Sequence, residues 1–406
     1  MDQLDIFFQD KNYDIRKYHD ARFMDQKVTP DVLSIIASCI LEFVWEGISI
    51  EFTTKDIWGS DYANDTIKDI FHKPDVLDEK AQSEYDKFFA QPLRMLWYAG
   101  VLSLEKRWWR NIFHIQNRDI LYYISIKERN ALNFIIKYLF KVLSDSGLWA
   151  VFHDFFEENT KEKFILLKNT YEQFIINNTP IKKILEPRRI FTKIINPLAY
   201  FYKSKWTQWG GLSKDIIEYD ALMYNRKNWR DIKKLKWETR EEYELRAIEL
   251  VRKEADSYNK YTMEKAKKLI RERHARISEV KDEYAAWEAT QVHHIFPMHE
   301  FPEIKSYAEN LILLTPSQHL GKAHPSNSTQ YINKDYQLIC LLCKSESIEE
   351  SVELLKDDFY SKDDFITVLN TWTRKENYFA THYSFDTIRW ALTRLYHCLL
   401  YTSRCV

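Results

Sequence analysis

Apolar residues crowd the stretch DVLSIIASCILEFVW directly after Thr29 and Pro30. That order reads as a helix N-cap with proline at the first helical position, and Gly47 stands where such a helix would close. ISIEFTTKDIW (residues 48–58) and ILYYISI (residues 120–126) read as strands, the latter followed by a helix from about Lys127 to Ser146 with Gly147 beyond it. Residues 1–180 are therefore expected to form a domain of mixed α+β type. Between Gly211 and Pro297 there is no glycine or proline, and from Arg240 to Glu288 the text is rich in Glu, Lys, Arg, Ala and Leu, which predicts one or two long charged helices. DYQLICLLCKS, IEESVELLKDDF and FDTIRWALTRLYHCLL carry apolar faces at helical spacing, so residues 331–406 are expected to be helical. The fold class expected is α+β, predominantly helical.

A different pattern separates these helices. QVHHIFPMHEFPEIKSYAENLILLTPSQHLGKAHP, residues 291–325, holds five of the chain's 12 histidines and four of its ten prolines. VHHIF is a short β-like run ended by Pro297, and NLILLT is a second; the residues between them, with Pro302, form a loop. Thr315-Pro316-Ser317-Gln318 then has the order of a capping box, so a helix starts there with His319 in its first turn. Residues 289–330 thus read as strand, loop, strand, helix.

Composition bounds the rest. The chain has 406 residues and a formal net charge of -1, so any surface for a polyanion must be a local patch. One such patch is legible in residues 181–288. In its first part Arg188, Arg189, Lys193, Lys203 and Lys205 interleave with Phe191, Tyr200, Tyr202, Trp206 and Trp209, and Arg226, Lys227, Trp229, Arg230, Lys233, Lys234, Lys236 and Trp237 follow. This pattern suits a surface that tracks phosphates, and the five basic residues named first are the candidate DNA contacts. The acidic start has no basic region followed by an apolar one, no apolar stretch reads as a membrane span, and five cysteines show no framework spacing. Those features lead to the expectation of a cytoplasmic chain with reduced thiols and no membrane association. Cys340-x-x-Cys343 lacks a second pair and reads as buried thiols rather than a zinc site, and Arg107-Trp108-Trp109-Arg110 reads as a packed helix face in preference to a base-stacking element.

The order His293-His294-Ile295-x-Pro297, then Asn310-Leu311, then His319 nine residues after the asparagine, resembles the HNH, or ββα-metal, nuclease family. The match covers about 35 to 40 residues, and its wording is most similar to bacterial restriction enzymes. The resemblance implies that His293 and His319 ligate one divalent metal ion per module, with His324 as a third candidate ligand, Mg²⁺ first with Mn²⁺ or Zn²⁺ as alternatives. It implies that His294 is the general base and that Asn310 braces the loop holding the His294 backbone. Residue chemistry suits those roles. Neighbouring residues on a strand point to opposite sides, so His293 and His294 cannot share one task. A neutral imidazole is a suitable base near neutral pH. One position departs from the family's His-rich pattern. Four residues after His319 stands Ala323, and His324, one further on, would point about 140° away on an ideal helix unless Gly321 ends the regular helix early.

The function expected from this resemblance is a type II restriction endonuclease that cuts double-stranded DNA as a homodimer, with a cognate DNA methyltransferase protecting the host. The alternatives are a phage-defence or mobile-element HNH nuclease of other specificity, and a non-catalytic DNA-binding protein with a decayed HNH fold.

Overall fold

The computed structural model describes residues 3–18, 21–45, 50–78, 82–208, 210–224, 234–235, 237–324, 332–357, 359–375 and 377–403. Gly47, Trp209, Arg226, Lys227, Trp229, Arg230, Lys233, Lys236 and Pro325 lie outside them. The chain is predominantly helical, with small antiparallel sheets, and divides into two compact units, Met1–Tyr258 and Asn259–Val406. The division falls inside one helix, Arg240–Arg273. Among the described residues no helix is long and apolar enough to cross a membrane.

In the first unit the helix Pro30–Trp45 begins at the expected proline and packs on Arg118–Ile126 and Glu128–Asp145. ILYYISI is part of the first of these partners and is helical, not a strand. Asn117 caps it by accepting from the Ile120 amide, 2.9 Å. Ile120 through Ile126 are buried except Tyr122, and a short apolar run buried on nearly all sides cannot reveal its period. ISIEFTTKDIW also departs from expectation. Among its described residues only Glu51–Phe52 is extended, because Thr53 and Asp56 form a capping box that starts a helix at Thr54. Strands β1 (Glu51–Phe52), β2 (Leu102–Arg107) and β3 (Arg110–Ile115) make an antiparallel sheet in the order β1-β3-β2. Its β2–β3 turn is Trp108-Trp109, so this quartet is a hairpin tip rather than a packed helix face. A second hairpin, β4 (Lys205–Gln208) with β5 (Gly211–Ile216), follows the helix Leu185–Phe201.

The second unit is built around a third hairpin, β6 (Gln291–His294) with β7 (Leu311–Leu314). The long charged helix stops at Arg273, where Ala275 and Arg276 turn to φ 47° and 59°, so the text up to Glu288 is not helical throughout. Helices Lys334–Glu349, Lys362–Thr373 and Phe385–Ser403 follow the hairpin, as expected of a helical C-terminal region. Their core contains Leu341, Phe365, Leu369, Ile388 and Leu392, with Phe296, Trp372 and Tyr396 stacked in series at 5.0 and 5.2 Å. Cys340 and Cys343 sit in this layer, where burial raises both thiols, Cys343 to about 11.

Candidate metal centre and the neighbouring histidine

The hairpin is held on both flanks before any histidine is placed. β7 is buried along its length, and its Leu313 amide and carbonyl are engaged by Glu279: the carboxylate accepts at 2.9 Å and the Glu279 amide donates at 3.0 Å. Glu279 in turn meets the Lys344 ammonium at 2.6 Å, with both side chains fully enclosed. Burial pushes the Glu279 carboxyl up, but Lys344, His274 and the Leu313 amide outweigh it and hold the carboxyl below its usual range. At the other end of β7 the capping box forms: Thr315 Oγ1 accepts from the Gln318 amide, and Gln318 Oε1 accepts from the Thr315 amide. Gln318 also receives Ser278 and donates to Val280 and Asp282, tying the helix start to residues 278–282.

The helix that begins at Pro316 does not continue as an α-helix. From His319 to Ala323 it is a π turn, in which the His324 amide donates to the His319 carbonyl at 3.1 Å. An i to i+5 bond fits five residues into about one turn, so His324 returns to the face of His319. The extra residue supplies what Ala323 at the regular position lacks. His293, from β6, completes a cluster whose candidate ligand nitrogens all lie within 4.8 Å of one another. The ring centroids are 4.8 to 5.2 Å apart with planes inclined by 72 to 81°, so the three imidazoles converge as a tripod rather than a stack. His293 and His324 are buried and His319 is half-buried. Burial lowers His293 well below the free-imidazole value, with the other histidines adding to it, and burial followed by His324 lowers His319. Both are therefore neutral near pH 7 and offer lone pairs. The donor chemistry fits a divalent transition metal, which three converging imidazoles could hold.

His294 faces away from this cluster, as alternation along β6 requires. Its Nε2 lies 3.0 Å from the Lys305 carbonyl. A carbonyl oxygen only accepts, so neutral His294 carries its proton on Nε2 and leaves Nδ1 as a lone pair. Burial lowers its pKa; the Lys305 bond raises it, and the charge of Lys267 lowers it again. Asn310, fully buried, holds the loop that presents Lys305. Its Oδ1 accepts from the Phe296 amide at 2.9 Å, and its Nδ2 donates to the carbonyls of Phe296 and Ile304 at 3.1 and 3.3 Å. The loop is clamped near its start, at Phe296, and at Ile304, the residue before Lys305, which sets the carbonyl that orients His294.

The five basic candidates do not share one setting. Arg189 and Lys203 are exposed and Lys205 is half-buried on β4. Arg188 pairs with the buried Glu172 at 2.8 Å and lines a groove of about 520 Å³ with Lys161 and Lys168. Lys193 is half-buried on the helix Leu185–Phe201; burial lowers its pKa, Lys27 adds to the shift, and Asp31 and Tyr224 oppose it.

Sequence reasoning missed the supporting groups. His274 contacts Tyr360 Oη at 2.9 Å, and Lys344 donates to the same oxygen at 2.8 Å. Glu279, Lys344 and Tyr360 come from three distant segments, and no spacing announces them. The Lys305 contribution is a backbone atom and carries no side-chain signal at all. Comparison with family models, curated proteins and solved structures found no match to this chain.

Proposed function

We propose that this chain is a metal-dependent endonuclease of HNH type that hydrolyses phosphodiester bonds in double-stranded DNA, cutting at a specific site as type II restriction enzymes do. One observation carries the reading. Adjacent residues of β6 serve opposite sides, His293 joining a three-imidazole cluster and His294 keeping a bare Nδ1 fixed by Lys305. Hydrolysis needs those two elements, a cation site and a positioned base. His294 Nδ1 takes a proton from the attacking water as its oxygen bonds to phosphorus, one P–O ester bond breaks, and the leaving oxygen is protonated by solvent. Asn310 acts through the loop and touches no reacting atom, so it is a positioning residue.

A divalent cation bound by His293, His319 and His324 would stabilise the negative charge on the phosphoryl and leaving oxygens. Three nitrogen donors favour Zn²⁺ or another transition ion over Mg²⁺, which prefers oxygen and retained water. This moves the preference away from the Mg²⁺ expected from sequence. A single module cuts one strand, so a double-strand break at a symmetric site calls for two copies related by a two-fold axis.

The test is incubation of the chain with a phage genome in Zn²⁺, Mn²⁺ or Mg²⁺, followed by mapping of the fragment ends. Discrete ends on both strands are the expected result, with light scattering of the DNA complex giving two subunits. A smear would leave a nuclease without site specificity, and DNA binding with no cleavage in any metal would overturn the enzyme reading.

A further inference from the structure

The β2–β3 hairpin ends in a two-residue turn whose residue types its backbone does not favour. Arg107 pairs with Arg110, so Trp108 and Trp109 are the two turn residues. Tight hairpin turns place their first central residue at positive φ and strongly favour glycine or asparagine there. Here Trp108 holds that position at φ 59°. A bulky side chain in the left-handed region is strained, and such strain concentrates at functional sites. Packing does not explain it: Trp108 is 88% and Trp109 82% exposed. Among the described residues the only ring that either touches is the other, 6.0 Å away and edge-on at 78°.

The stalk beneath the tip is stiff and its carboxylates are occupied. Arg107 bridges Glu51 of β1 at 2.8 Å and Glu105 of β2 at 2.7 Å, joining two strands of the sheet behind the turn. Lys106 and Arg110 flank the tryptophans, are exposed, and carry no ion pair among the described residues. Two indoles thus project on a rigid hairpin with two available cations beside them.

We propose that Trp108 and Trp109 stack on unpaired nucleobases while Lys106 and Arg110 meet the adjoining phosphates. Nucleic acid as the partner rests on the nuclease reading above; the stacking role goes beyond it. The chemistry favours bases over an apolar partner. Glu105, Lys106, Arg107, Arg110 and Asn111 are all exposed around the tip, so the indoles do not belong to a continuous apolar patch of the kind a protein or lipid surface would cover. Two rings nearly perpendicular to each other offer separate faces, each able to take one planar base. In an intact duplex those base faces are covered by neighbouring pairs, so the element selects single-stranded or locally opened DNA.

The experiment measures binding of the full chain to a fluorescein-labelled single-stranded 20-mer, its duplex, and anionic phospholipid vesicles, in EDTA so that nothing is cleaved. The intact chain should bind the single strand, and W108A/W109A should weaken that binding by roughly 10- to 100-fold, the range for loss of one or two base–aromatic stacks. K106A/R110A should lower the salt dependence instead. Trp108→Gly relieves the backbone, so it should melt no lower than the parent chain and still bind less tightly, which separates lost stacking from lost folding. No measurable single-strand binding, equal affinity of W108A/W109A and parent, or tryptophan-dependent binding only to vesicles would overturn the proposal. Tryptophan-dependent single-strand binding in a chain that cleaves no DNA would keep it and sink the nuclease reading alone.

Discussion

His293 and His294 are one peptide bond apart and differ in every neighbour that sets their chemistry. His293 faces two imidazoles, whereas His294 faces a carbonyl. Removing the base should leave metal affinity intact: His294→Ala is expected to retain it and lose roughly 10²–10⁴-fold in cleavage rate, the usual range for general-base catalysis. His293→Ala, His319→Ala and His324→Ala should instead weaken metal binding in titration calorimetry, with activity partly restored by excess metal. Rescue of His294→Ala by metal, without rescue of His293→Ala, would reverse the two roles. His274 supplies a pH effect on stability rather than on rate. Burial lowers its pKa from 6.5 to about 4; Glu279 opposes the shift, and Lys344 and Arg273 add to it. Lys344 donates to Tyr360 Oη, leaving that hydroxyl's proton for neutral His274. Between pH 6.5 and 4 the unfolded chain binds this proton and the folded chain does not. The contribution is therefore present above pH 6.5 and is lost as pH falls toward 4, by about 3 kcal/mol at most. Urea unfolding at pH 7.5 and pH 5 should show a smaller loss for His274→Gln than for the parent chain. Equal losses would place the titration elsewhere.

The short helix after β7 owes its function to one irregular turn. An α-helix would present Ala323 beside His319 and carry His324 past the cluster; the π turn reverses that choice. Ala323 is consequently buried, and its carbonyl accepts from the Asn333 amide at 3.0 Å. Moving the imidazole to the regular position should therefore fail. The swap A323H/H324A is expected to bind metal no better than His324→Ala alone, measured by competition with a chromogenic chelator. Affinity equal to the parent chain would mean that the turn is regular in solution. The Asn310 clamp works at the same level, fixing a loop at Phe296 and Ile304 so that one backbone carbonyl orients His294.

The two compact units carry separate parts of the proposed function. The histidine hairpin and the helices that follow it lie in Asn259–Val406, while the basic aromatic segment and the tryptophan tip lie in Met1–Tyr258. Within the first unit, Arg188 and Arg189 are adjacent and both exposed, but Arg188 also pairs with a buried carboxylate. Arg189→Ala should leave the melting temperature unchanged and flatten the salt dependence of DNA binding by about one log–log unit if it meets one phosphate. Arg188→Ala should lower stability by about 1 kcal/mol, a value reduced by the solvent exposure of its guanidinium, because Glu172 is left enclosed. An unchanged salt slope in Arg189→Ala would remove it from the interface.

Local signals determined much of this chain before any packing was considered. Pro30 opens its helix, and Thr315 with Gln318 forms a capping box, because those bonds close within a few residues. The order of His293, His294, Asn310 and His319 was likewise legible, since alternation along β6 alone separates the adjacent imidazoles. ILYYISI was not, because a short run buried on most sides has no readable period, and only its packing on Pro30–Trp45 made it helical. Trp108-Trp109 was misread because nothing local in it favours a turn; the β2–β3 pairing imposes one. His324 joined the cluster through a π turn that adds one residue to a helix, a choice settled by what surrounds Ala323 rather than by propensity. Glu279 was brought to β7 from a segment far away in sequence. Hydrogen bonds that close over a few residues are written locally, whereas burial and long-range pairing depend on which distant segments arrive, and only the tertiary structure decides that.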